Sequence, residues 1–226
     1  MVGHLNAYDR ALVQIREKLV LMSEKAGKRL SEAMHSFIHQ DDLLANAVIS
    51  SDDEIDAMDE EIEMESLNLI SLQQPVDRDL RFLASAMRIS RELERISDYA
   101  CDIAKASLHL KEKIPFFKPL VDVPRMADLV QAMMRKSLKA HVENNLIIAR
   151  QMDDDDTEVD QLFLALLEEL TEYMKKGPEY VDQASIILLI SRYLERIGDH
   201  VVNISEMTIF TEVGERHPFK ASKAKE

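Results

Sequence analysis

Apolar residues recur at spacings of three and four along most of the chain. Leu83, Met87, Ser90, Leu93, Ile96, Ala100 and Ile103 form one such row; Ile186, Leu189, Leu194, Ile197, Val201 and Ile204 form another. That period is one face of an α-helix. Prolines break the pattern at Pro75, at Pro115 and Pro119, and at Pro178, because proline cannot continue a helix interior. The pattern predicts six helices, at about 5–49, 51–72, 76–112, 120–152, 154–176 and 179–212. Ser51 followed by Glu54 reads as a capping box opening the second helix. Asp153 to Asp156 places acids where a helix macrodipole favours them.

The chain also repeats itself. Ser90-Arg91-Glu92-Leu93-Glu94-Arg95-Ile96-Ser97-Asp98 returns 101 residues later as Ser191-Arg192-Tyr193-Leu194-Glu195-Arg196-Ile197-Gly198-Asp199. Asp52, Ile55 and Asp56 match Asp156, Val159 and Asp160 at an offset of 104, and Leu30, Ala33 and Leu44 match Met134, Ser137 and Ile148 at the same offset. The two offsets differ because the connection before the third helix is longer in the first copy, through Gln73-Gln74-Pro75, than in the second, through Lys175-Lys176-Gly177-Pro178. The expectation is an all-α protein of two tandem three-helix bundles: residues 1–114, residues 115–213, and a flexible tail over 214–226. Short connections between long helices favour antiparallel packing.

Composition agrees with this. Only 5 glycines and 6 prolines occur in 226 residues, too few for a turn-rich β fold. The formal charge of -14, with scattered Lys and Arg, removes the basic footprint that nucleic acid or an anionic membrane surface requires. The longest apolar run, around Ala184 to Ile190, is far short of a membrane span. No secretory leader is visible at the N-terminus. The lone Cys101 suits a reducing compartment and reads as a core or boundary residue. A cytoplasmic protein is expected, meeting membranes through partners.

The chemistry lies in acidic rows spaced by four, which share a helix face. Glu94, Asp98 and Asp102 form one row, matched by Glu195, Asp199 and Asn203; Asp52, Asp56 and Glu60 form another, matched by Asp156 and Asp160 and ended by Leu164. Such rows repel themselves, and a multivalent cation reverses the sign of that interaction. All-carboxylate ligation suits hard ions such as magnesium, calcium, manganese or ferric iron. The eight first candidates are Asp52, Asp56, Glu94, Asp98, Asp156, Asp160, Glu195 and Asp199, with Asp102, Asn203 and Glu60 behind them. On a helical wheel Glu94 and Asp98 point away from Leu93, Ile96 and Ala100, which predicts patches on the bundle surface. A solvated charged face fits the same pattern, with Arg91, Arg95, Arg192 and Arg196 near enough to form ion pairs.

Other motifs are weaker. Glu32 and His35 form a single E-x-x-H, where a ferritin-like di-metal oxidase needs two; the bland reading is a surface histidine. No nucleotide-binding glycine motif occurs. The reading that competes with a binding protein is a metal-dependent hydrolase or oxidase on a helical bundle, which would need an enclosed pocket with a positioned acid or base.

Leu93-Glu94-Arg95-Ile96-Ser97-Asp98, its second copy from Leu194 to Asp199, and Gln74-Pro75-Val76 followed by Asp79-Leu80-Arg81 resemble the PhoU family, from about Leu5 to about Phe210. The resemblance implies a pseudo-twofold pair of bundles and a non-enzymatic regulator of phosphate uptake. It implies a negative regulator of the phosphate-starvation response, acting between the ATPase of the phosphate ABC transporter and a PhoR-type sensor histidine kinase. It also implies a homodimer, peripheral to the membrane. Multinuclear metal is implied at the paired acidic motifs, iron first, with Mn, Mg, Ca or Zn as alternatives. Carried over by residue, these motifs are Asp52 and Asp56 with Glu94 and Asp98, and Asp156 and Asp160 with Glu195 and Asp199.

Overall fold

The computed structural model describes residues 6–51, 53–110 and 115–215. The first copy holds α1 (Ala7–His39), α2 (Asp42–Ile49), α3 (Asp53–Gln73) and α4 (Asp77–Leu108). The second holds α5 (Asp122–Glu143), α6 (Leu146–Arg150), α7 (Met152–Lys176) and α8 (Val181–Val213), with a short 3-10 turn at Pro178–Tyr180 before α8. No strand occurs among the described residues.

The six expected helices are present, but the first helix of each copy is broken. Gln40 and Asn144 sit in the left-handed region at φ 52° and 53°. The residue after each restarts the helix. Asp41 accepts from the backbone N–H groups of Leu43 and Leu44, and Asn145 from those of Ile147 and Ile148. A cap of this kind stabilises a helix start by about 1 kcal/mol. Apolar positions continue across the break, so periodicity alone hides it.

The capping box at Ser51 is not formed. The Ser51 hydroxyl donates back to Val48 O at 2.8 Å, and Glu54 instead meets Lys25 at 2.7 Å. The acidic opening of α7 is as expected, with Asp153, Asp154 and Asp155 in its first turn. Gly214, placed at the start of the tail by sequence, caps α8 at φ 84° and donates to Phe210 O. That conformation suits glycine. The rest of the expected tail, 216–226, lies outside the described residues, as does the end of the first expected domain, 111–114.

Within each copy the contacts match: α1, α2 and α3 pack on α4 as α5, α6 and α7 pack on α8. Between copies the first and last helices meet their own counterparts, α1 against α5 and α4 against α8. This is the isologous arrangement of a twofold contact, made within one chain. α4 and α8 run antiparallel: Arg78 pairs with Glu212, Ser85 with Thr211, and Glu92 with His200. One large apolar core runs through both copies, from Leu19 and Leu30 through Leu83 and Ile96 to Leu194 and Val201, with a small satellite of Ala140, Ala149 and Ile209. Cys101 is buried in it.

Candidate metal centres

Helix α3 lies along α4, so the Asp56 side of α3 meets the Glu94 side of α4. Oxygens of Asp56, Glu94 and Asp98 all lie within 4.8 Å of one another, the one such group among the described residues. Asp56 is exposed and Asp98 half-buried, but Glu94 is only 9% exposed. The wheel reading, which turned Glu94 outward, is corrected here. α4 is covered by α1, α2 and α3 as well as by α8, so more than one stripe of it is buried.

Glu94 Oε2 is buried without a hydrogen bond. Arg91 stands 3.5 Å from the other oxygen, Glu94 Oε1, and Arg95 3.5 Å from Oε2; Arg95 also reaches Asp98 at 3.0 Å. Burial, then the charge of Asp98, pushes the Glu94 carboxyl above the ordinary carboxylate range against the pull of the two arginines. Both arginines are more than half exposed. The rows therefore do carry counterions, held on flexible surface side chains.

Beneath this patch lie groups that the spacing argument passed over. Arg29, 5% exposed, donates to Ser97 Oγ and to Ser51 O. Asp59, also buried, accepts from Ser90 Oγ at 2.7 Å and pairs with Arg91 at 3.2 Å. Both residues interrupt apolar rows, Met22-Ala26-Arg29-Ala33 and Ile55-Asp59-Ile62, and that interruption is the signal that could have found them. Asp52 lies outside the described residues.

In the second copy Arg192 pairs with Glu195 at 2.7 Å and Arg196 with Asp199 at 3.3 Å. Glu195 Oε2 is again buried without a hydrogen bond. Asp160 is half-buried, but Asp156 is only 1% exposed. It is tucked against Gly198, where a Cβ would stand 2.6 Å from its Oδ1. No three of the second copy's carboxylates come as close together as those of the first.

Among the second-tier positions, Glu60 is exposed, Asp102 pairs with Lys105 at 3.1 Å, and Asn203 donates to Glu92 at 3.0 Å. The two equivalent third-row residues thus face different neighbours. His35 is exposed and its ring lies tilted against that of His39, centroids 4.2 Å apart, while Glu32 pairs with Lys28.

The chemistry of the donor set fits a hard cation. Three carboxylates converge, and one carries a buried oxygen lacking a donor. The ion would be held by Asp56, Glu94 and Asp98 in the first copy, with Glu195 and Asp199 as the corresponding residues of the second.

The PhoU domain family matches the chain twice, over residues 19–107 and 123–208. A phosphate-specific transport system accessory protein PhoU homolog of Clostridium acetobutylicum is 34% identical over 210 residues, covering 92% of this chain and 95% of the relative. A PhoU homolog 1 of Methanothermobacter thermautotrophicus is 35% identical over 204 residues, covering 90% of this chain and 93% of its own. Crystal structures of PhoU from Streptococcus pneumoniae and Pseudomonas aeruginosa both superpose with TM-scores of 0.87. They are 28% and 30% identical and cover 93% and 92% of this chain, and 99% and 100% of theirs.

Proposed function

The chain belongs to the PhoU family, and from that premise we propose that it is an adaptor in the control of phosphate uptake. It binds the ATPase of a phosphate ABC transporter and a PhoR-type sensor histidine kinase, and it represses the phosphate-starvation response when phosphate is plentiful. It acts as a cytoplasmic homodimer and reaches the membrane through its partners. No helix among the described residues is long and apolar enough to cross a membrane itself. The curated relatives are named as accessory proteins of phosphate-specific transport systems, which supports binding rather than turnover.

Metal belongs to this reading through one observation: Asp56, Glu94 and Asp98 converge around a buried Glu94 oxygen that accepts no hydrogen bond. A bound cation would supply the positive charge that Arg91 and Arg95 now supply. With Asp56 on α3 and Glu94 and Asp98 on α4 as its ligands, it would tie the two helices together. Arg95 would be freed from Glu94 and Asp98 and Arg91 from Glu94, with Arg91 keeping Asp59, and that face would be less acidic. Partner affinity then follows the charge of this face.

The test compares the native protein with the Asp56→Ala/Glu94→Ala/Asp98→Ala variant. Metal content is read by plasma mass spectrometry, and binding to the transporter ATPase and the kinase by pull-down. The expected result is bound metal and partner binding in the native protein, both reduced in the variant with helicity unchanged. Metal lost with partner binding intact would separate metal from signalling. Binding to neither partner would sink the adaptor reading.

A further inference from the structure

Away from the acidic patches, α1 and α5 leave a groove between them of about 650 Å³, floored by Ser23, Gly27 and Met134 and walled by Leu138 and Val142. It runs from Val20 to Ser31 along α1, a distance of roughly 16 Å at helical rise. The internal repeat supplies a control for it. At the offset of 104, the counterparts of its residues line a second groove of about 200 Å³, with Met34, Ile38 and Pro124 where the first has Leu138, Val142 and Val20. The counterpart of Gly27 is Gln131. The wide groove is thus wide where glycine replaces a longer side chain.

Packing does not demand this glycine. A Cβ at position 27 would meet nothing nearer than Met134 Cε at 3.9 Å. A glycine inside a long helix destabilises it relative to alanine. Its effect here is to leave the groove floor open.

The charge of the walls selects the occupant. Lys28, Arg135 and Lys139 line the wide groove against Glu24 and Glu143, a net positive lining on a chain of charge -14. Lys28 and Lys139 are largely exposed and make only long contacts, 3.5 Å to Glu32 and 4.0 Å to Glu143. Arg135 is exposed and has no ion pair among the described residues. An apolar trough with basic edges takes a helix that lays down an apolar row flanked by carboxylates.

We propose that the α1–α5 groove docks an acidic amphipathic helix supplied by a partner protein. This rests on the adaptor reading and names the kind of segment that the adaptor grips. The row of such a helix, at spacings of three and four, seats over Gly27, and its acids pair with Lys28, Arg135 and Lys139.

The test uses the full chain and two synthetic helical peptides of roughly four turns. They share one leucine row; one carries glutamates beside it and the other lysines. Binding is read by fluorescence anisotropy. The acidic peptide binds and the basic one does not. Gly27→Gln, which copies the narrow groove, weakens the acidic peptide by at least about tenfold, or about 1.4 kcal/mol, with circular dichroism unchanged and melting not lowered. Lys28→Glu/Arg135→Glu/Lys139→Glu reverses the preference. Equal binding of both peptides, no binding of the acidic one, or indifference to Gly27→Gln overturns the proposal. Self-association in sedimentation that Gly27→Gln abolishes would also overturn it, by making the groove a contact between copies. Because the peptides stand apart from transporter and kinase, their failure leaves the adaptor reading intact. Failure of the ATPase and kinase pull-downs alone leaves the groove intact.

Discussion

Asp59, Arg29 and Ser97 of the first copy stand where the second has Phe163, Met133 and Gly198. The surface motif is the same in both; the layer beneath it is not. In the first copy Ser90 and Arg91 both turn to the buried Asp59. In the second, Ser191 turns back to Ile187 O, and the Arg192 guanidinium lies over the Phe163 ring, 5.5 Å from its centre. Hydrogen bonds and ion pairs are directional, whereas apolar contact is not. The polar layer accompanies a tight group of three carboxylates. The apolar layer accompanies Asp160, Glu195 and Asp199, the counterparts of that group, which do not come as close together. A duplicated motif can therefore keep its residues and change its geometry from below.

The most damaging way to test this is to give the first copy the interior of the second. Arg29→Met leaves Ser97 Oγ and the Ser51 carbonyl without their donor. The expected loss is about 3 kcal/mol, read from urea unfolding. Adding Ser97→Gly should cost less than it does alone, since both act on one contact. A loss under about 1 kcal/mol for Arg29→Met would mean that the buried arginine is replaceable and the polar layer incidental.

A second contrast lies at the seam between copies. His141 is the counterpart of Phe37, and Thr208 of Ser107. His141 is 2% exposed, its Nδ1 3.2 Å from Thr208 Oγ1, and it stacks on Phe82. Burial lowers its pKa to about 4, with Arg16 and Arg78 adding to the effect and Glu212 opposing it. Between that value and the ordinary 6.5 the unfolded chain binds the proton and the folded one does not. The resulting stability is present above pH 6.5 and is lost as pH falls toward 4. From pH 7 to pH 5 the loss attributable to His141 is about 2 kcal/mol. His141→Phe, which copies the first repeat, should flatten that part of the urea midpoint profile. An unchanged slope would place the acid sensitivity in other groups.

The sequence carried the outline of this comparison because the motif is a spacing. Glu94, Asp98, Glu195 and Asp199 recur in phase with the apolar rows, and six helices follow from those rows and the prolines. The breaks at Gln40 and Asn144 were hidden because apolar residues continue across them; Asp41 and Asn145 were the available start signals. The burial of Glu94 was missed because a wheel assumes one buried stripe, and α4 is packed by α1, α2, α3 and α8. Arg29 and Asp59 were missed for a different reason. Acidic spacing marks carboxylates on polar faces, whereas these two are charges on apolar ones. That Asp156 lies against Gly198 is a tertiary fact, set by which helix faces meet, and no spacing announces it.

Gly198 gives a smaller but cleaner separation. Alanine there gains about 1 kcal/mol of helix propensity, yet its Cβ would press within 2.6 Å of Asp156 Oδ1. Overpacking of this kind costs about 1–3 kcal/mol. The net expectation for Gly198→Ala is a loss of about 1 kcal/mol, seen as a melting temperature lower by about 2–4 °C for a chain of this size. A higher melting temperature would mean that Asp156 moves aside freely, and that its seat against Gly198 is not enforced.

The last contrast lies at the two equivalent arginines, the second of which should show the smallest effect. Arg91→Ala removes a partner of the buried Asp59 and of Glu94, leaving Asp59 to Ser90 alone among the contacts described above. Arg192→Ala removes a contact to Glu195 and a cation over an aromatic ring, and phenylalanine left without its arginine needs no replacement hydrogen bond. A cation over a half-buried ring such as Phe163 contributes about 0.5–1 kcal/mol, whereas a buried carboxylate deprived of a charge partner costs more. The expected losses are about 1–2 kcal/mol for Arg91→Ala and about 0.5 kcal/mol for Arg192→Ala. Both are measured at low salt, where exposed charge contacts are least screened. If Arg192→Ala proves the costlier of the two, the aromatic layer holds its motif more firmly than the ionic one, and the ranking of the two copies is inverted.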